Sequence, residues 1–129
     1  MVEALEHAEA ALELSRAICY RRTEADALNM IGSIRHSLDD DRGAVENHLA
    51  ALRLARQDAP HHDAEVTALL GLADSYRAGG EHDLAAEHAN EAVVVAAKQS
   101  NQILKDQGQA MLERIRGGRL PTGTPGVRV

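Results

Sequence analysis

A chain of 129 residues, 44% hydrophobic and 26% charged, has the size and composition of one soluble domain or a short repeat array. It contains no Trp or Phe and only Tyr20 and Tyr76, so its core must be Ala, Leu, Ile and Val, which argues against a β-sheet protein. The net charge of −6 is uneven: all 20 acids lie at or before Glu113, while Arg114, Arg116, Arg119 and Arg128 follow it, and so acidic a body argues against direct nucleic-acid contact.

The apolar spacing is helical from end to end. Ala4, Ala8, Ala11, Leu12 and Ser15 form a first stripe, and Leu28, Ile31, Ile34 and Leu38 a second. Thr23-x-x-Asp26 predicts a cap for that second helix. "DDD" at 39–41 places negative charge at the start of the third, where the helix dipole favours it. The third stripe is Ala44, His48, Ala51, Leu52 and Ala55. Pro60 suits the first turn of a fourth helix, whose stripe is Val66, Leu69, Leu72, Ala73 and Tyr76 and which Gly79-Gly80 stops. Leu84, Ala85, Ala89, Ala92, Val93 and Ala96 form the fifth, and Ile103, Met111, Leu112 and Ile115 a weaker sixth. Gly117-Gly118 predicts a stop there, followed by an extended or disordered tail.

Two of these segments superimpose. Leu28, Ile31, Gly32 and Arg35, then Ala44, His48 and Ala51, have the same spacing as Leu69, Leu72, Ala73 and Tyr76, then Ala85, Ala89 and Ala92. Ala4, Ala8 and Ala11 repeat the later half. This pattern resembles the tetratricopeptide repeat, a helix–turn–helix unit with small residues where its two helices meet. It departs from the usual motif at Leu28 and Leu69 (for a large aromatic), Arg35 (for Tyr), and His48 and Ala89 (for Phe), and it lacks the repeat-ending proline at Arg56 and Ala97. The period is about six residues longer than usual. In that respect the chain is similar to the repeats of kinesin light chains. "ALELSRAI" and "ALRLARQ" make it more similar still to the C-terminal regions of actinobacterial transcriptional regulators and signalling ATPases.

The resemblance implies an all-α, right-handed superhelix of antiparallel helix pairs, about six helices in all. The repeat domain spans 1–116: a partial repeat at 2–18, full repeats at 23–57 and 61–98, and a capping helix at 101–116. A flexible tail occupies 117–129. The first helix lacks a partner, so residue 1 reads as a cut within a longer protein. The alternative is an authentic start whose first helix packs differently or pairs with a second copy, giving a homodimer.

No catalytic constellation stands out. There is no phosphate-binding glycine loop and no G-x-S-x-G turn, so no enzyme is expected. Cys19 lies near Arg21 and Arg22, but its place near a helix end reads as a structural thiol. The single cysteine allows no internal disulfide, the first residues form no signal peptide, and no apolar run spans a membrane; a cytoplasmic protein is expected. The seven histidines include no H-x3-H or H-E-x-x-H pair, and the acidic run at 39–41 lacks the alternation and glycine of a calcium loop. No metal or cofactor is expected.

What the resemblance does imply is a concave face lined by the first helix of each pair, taking a protein or peptide. On the first pair that face would be Asp26, Asn29, Ser33 and His36; on the second, Thr67, Leu70, Asp74 and Arg77; on the last helix, Lys105, Gln109 and Glu113. Chaperone-binding relatives clamp a terminal carboxylate with Lys, Arg and Asn. Here Asn29 fits, but the paired lysines are missing and Asp74 opposes a carboxylate, so a co-chaperone role is not expected. The implied function is a non-catalytic interaction module of a bacterial regulatory or signalling protein. The rivals are a peptide- or small-molecule sensor controlling a transcriptional regulator, and a self-association device.

Overall fold

Alanine-rich, low-aromatic sequence packs well only as closely approaching helices, and the chain forms six. The computed structural model describes residues 2–17, 21–57 and 61–119. The helices are α1 (Val2–Ala17), α2 (Arg21–Ser37), α3 (Asp41–Ala55), α4 (His62–Ala78), α5 (His82–Lys98) and α6 (Gln102–Arg119). The first residues of α2 and α4 are 41 apart, as are those of α3 and α5, so the sequence repeat is also the structural one.

Each helix packs on the next in sequence, and α4 also touches both α2 and α6. No comparable contact joins α1 to α3 or α3 to α5 among the described residues. A stack whose alternate helices touch on one side and part on the other is bent toward the touching side. The helices α2, α4 and α6 therefore form the concave layer.

Small residues set the helix–helix distance, as the repeat predicts. Ala44, Ala51, Ala73, Ala85 and Ala92 are all fully buried, and Gly32 is buried with them. Around them, Leu28, Ile31, Leu69 and Leu72 join Ala8 and Leu12 of α1 and Ala92 and Ala96 of α5 in one core that runs along the array. Met111 and Ile115 of α6 close its far end against Ala73, Ala85 and Ala89. Leu38, Leu84 and Ile103, expected in the stripes, are instead exposed (42%, 38% and 72%), because each lies at or near a helix terminus.

Three of the connections use one motif. After α2, α4 and α5 a single residue takes a left-handed conformation: Asp39 (φ 64), Gly80 (φ 83) and Ser100 (φ 55). The next amide then donates back to the helix, Asp40 to Arg35 (2.8 Å), Glu81 to Tyr76 (2.8 Å) and Asn101 to Ala96 (2.9 Å). This is a Schellman closure, which satisfies the orphan carbonyls of the last turn. Only the middle one was legible as a Gly-Gly stop. Asp40 then caps α3, its carboxylate accepting from the Gly43 amide at 3.0 Å, in line with the charge expected at 39–41.

Two predicted boundaries are corrected. Thr23 lies inside α2, whose helical geometry already begins at Arg21, so it is not the cap. The last helix was expected to end at 116, yet α6 continues through Gly117 and Gly118 to Arg119; glycine costs only about 1 kcal/mol in a helix and can be carried through a last turn. Cys19, Pro60 and the tail from Leu120 lie outside the described residues.

Candidate partner-binding groove

The concave layer is held by a buried polar wedge. His48 of α3 inserts its ring between Gly32 of α2 and Gly71 of α4. A Cβ added to Gly32 would sit 2.7 Å from the ring Nε2, and one added to Gly71 would sit 2.3 Å from the same atom. The fit explains why two helix interiors carry glycine despite its cost. It also explains why His48 occupies a position where the repeat usually has Phe: it is a flat ring with a polar edge.

That edge is satisfied by Asn29. The His48 Nδ1–H donates to Asn29 Oδ1 at 2.8 Å, and Asn29 Nδ2 donates to the Ala64 carbonyl at 3.0 Å. One amide thus ties α2 to both α3 and α4. Burial, with a smaller push from neighbouring His36, lowers the His48 pKa to about 4, against the opposing pull of Asp74. The buried ring is therefore neutral at pH 7, with its proton on the Nδ1 that faces Asn29 Oδ1.

This overturns one expectation. Asn29 lines the second cleft but is not free to bind a partner; it is 4% exposed and both its polar atoms are spent inside the fold. Its place on the first helix of the repeat had assigned it to the open face, but two partners from other helices let it be buried.

The groove itself consists of two adjoining clefts that share Ser33 and Thr67. The first, about 340 Å³, lies between α4 and α6 and is lined by Leu70, Gly71, Asp74, Gln107, Ala110, Met111 and Arg114 as well. The second, about 330 Å³, lies between α2 and α4, with Asp26, Met30, Asp63 and Ala64 in its walls and Asn29 reaching only its floor. The expected residues Asp26, Ser33, Thr67, Leu70 and Asp74 thus come together. Lys105, Gln109 and Glu113 do not: α6 turns Gln107, Ala110, Met111 and Arg114 to the groove instead. Since α6 starts 40 residues after α4, Gln109 and Glu113 correspond to Leu69 and Ala73, which α4 buries. On α6 that side is exposed at Gln109 and Glu113, and it does not face the groove.

His36 and Arg77 stand at one end of the groove, bound to its charges. Asp74 receives Arg77 at 2.7 Å and faces His36 Nε2 at 3.2 Å and Arg114 at 4.0 Å, while the other His36 nitrogen pairs with Asp41. Asp74 therefore links all three concave helices, and its charge is largely answered from within.

Outside the groove, two departures from the usual motif, Arg35 and Arg56, have a structural use. Arg35 donates to Asn47 of α3 (2.9 Å) and lies 3.7 Å from Glu9 of α1, clasping three helices where Tyr is usual. Tyr76, which keeps the motif, packs its ring against that of His88 at 5.3 Å in a tilted arrangement. Arg56, at the place of the missing proline, donates to Glu65 (2.8 Å) and Glu91 (2.6 Å), joining the end of α3 to α4 and α5. Among the described residues no group of three or more His, Asp or Glu side chains is placed to hold a metal ion, and no helix is long and apolar enough to cross a membrane.

A bent stack of helix pairs with a groove on its inner layer is the architecture of helical repeat proteins. The family model described as tetratricopeptide repeat matches residues 23–97, both full helix pairs, and the chain belongs to that family. Tetratricopeptide repeats generally mediate protein–protein interaction as non-catalytic scaffolds. A search of curated proteins gives no match.

Proposed function

We propose that the chain is a non-catalytic interaction module whose concave groove takes a segment of a partner protein. The observation that carries this reading is the contrast within the inner layer. Asn29, Gly32 and Gly71 hold α2 and α4 in place against α3, while the side chains of Ser33, Thr67, Gln107 and Ala110 stand exposed beside them and make no hydrogen bond or ion pair among the described residues. A rigid frame presenting uncommitted side chains costs little further ordering when it binds. The repeat period and the "ALELSRAI" signature favour a regulatory or signalling protein of bacterial origin, acting in the cytoplasm.

The test is a titration of a purified partner, recovered by affinity capture, against the wild-type chain, Thr67→Arg and Glu87→Arg. Thr67 is exposed in the groove and Glu87 is exposed on α5. Loss of at least about tenfold in affinity with Thr67→Arg alone supports the groove; a loss confined to Glu87→Arg moves the site to the outer helices.

Self-association is the second reading, and one observation favours it. Ala4 and Ala11 of α1 are exposed, whereas their counterparts Ala44 and Ala51 are fully buried against α2. Exposed Glu3, Glu6 and Glu13 on the same helix oppose pairing with an identical copy. Light scattering at high protein concentration decides it: a monomer ends this reading.

A further inference from the structure

We infer that the segment the groove takes is extended and carries a Lys or Arg about three residues from a Leu-, Ile- or Met-sized side chain. This inference rests on the groove reading above and adds the chemistry of the occupant.

The two clefts differ in charge. In the first, the lining carries one carboxylate, Asp74, and one guanidinium, Arg114, and Arg77 and His36 also face Asp74, so its rim has no excess of negative charge, and Leu70, Ala110 and Met111 give it an apolar lining. In the second, no Lys or Arg is among the walls. Asp26 is there with its side chain 59% exposed and the His61 ring at 3.0 Å, and Asp63 is exposed, with the Asn101 amide at 3.4 Å. Arg22, one turn before Asp26, is not in the cleft. Met30, 55% exposed, offers an apolar stem rest in the same cleft as the two acids. A long basic side chain laid across Met30 would bury its methylenes and bring its charge to the carboxylates. The acidic body adds a field of the same sign, which draws a basic segment and repels an acidic one.

Spacing follows from the layer. Packed helices lie roughly 10 Å apart, so clefts on either side of α4 are separated by about that distance. An extended chain covers it in about three residues.

The experiment is selection of a random peptide library on the full chain, on Asp26→Asn/Asp63→Asn and on Thr67→Arg, each checked for unchanged helicity by circular dichroism. Wild-type selections should be enriched in Lys or Arg about three positions from Leu, Ile or Met. Those peptides should bind the Asp26→Asn/Asp63→Asn chain about tenfold more weakly and with less salt dependence, and should fail to bind Thr67→Arg. Peptides lost with Thr67→Arg but free of basic enrichment, or indifferent to the loss of both acids, would overturn the inference and leave the groove reading standing. Peptides that bind Thr67→Arg as well as wild type, or no enrichment at all, would bring down the groove reading and this inference with it.

Discussion

Replacing Gly71 by alanine tests the wedge that shapes the inner layer. Judged by propensity alone, alanine in the middle of α4 should stabilise the chain by about 1 kcal/mol. The structure predicts the reverse. The new Cβ would lie 2.3, 2.4 and 2.6 Å from three atoms of the His48 ring, and the ring has no retreat, since Gly32 touches its other side and Asn29 holds its Nδ1. Overpacking of this kind costs about 1–3 kcal/mol or more, so a net loss of about 1–2 kcal/mol is expected. Denaturant unfolding, read as the shift in midpoint, measures it. The sharper reading comes from a double-mutant cycle with His48→Ala. Once the ring is gone, Gly71→Ala should turn neutral or stabilising, a coupling on the order of 2–3 kcal/mol. A Gly71→Ala chain as stable as wild type, or a penalty that persists without His48, would refute the reasoning. Gly117→Ala serves as the control, because nothing lies within 4 Å of a Cβ there.

Other outcomes follow from the same geometry. Asn29→Ala strands the His48 donor and the Ala64 carbonyl and should cost about 1–3 kcal/mol in chemical unfolding. Because the His48 pKa is lowered to about 4 in the fold, the unfolded chain takes up the proton first. The stabilisation is complete above pH 6.5 and falls by about 3 kcal/mol as pH drops toward 4; the difference between wild type and His48→Gln over that range isolates it. Ser100→Gly removes a left-handed serine from the α5–α6 turn and should raise stability by about 0.5–1 kcal/mol by thermal unfolding. Asp40→Ala deletes the α3 cap and should lower stability by about 1 kcal/mol in the same assay.

Much of the fold was legible because it repeats. Periodicity marked six helices, and the matching small residues at Gly32 and Ala73, Ala44 and Ala85, and Ala51 and Ala92 marked where pairs meet. The groove was less legible because polarity is ambiguous in a bent stack. Asn29 is polar and buried, since its partners come from α3 and from a carbonyl 35 residues away, which no local pattern reveals. Gly71 carried a usable signal, a glycine inside a helix that needed a packing reason, but that reason was a histidine in another helix. On α6, Gln109 and Glu113 are exposed and Lys105 is only partly covered, and none of the three lines the groove. Arg114 was counted only as part of a basic tail, yet it faces Asp74 across the groove.

The central claim is that partners enter on the inner layer. A photo-crosslinking residue placed at Thr67, Ser33 or Gln107, and separately at Glu87 or Arg53 on the outer helices, tests it most directly in extracts of the source cells. The account predicts one discrete crosslinked partner from the three groove positions and none from the outer two. Crosslinks to the same partner from Glu87 or Arg53, with the groove positions silent, would contradict it.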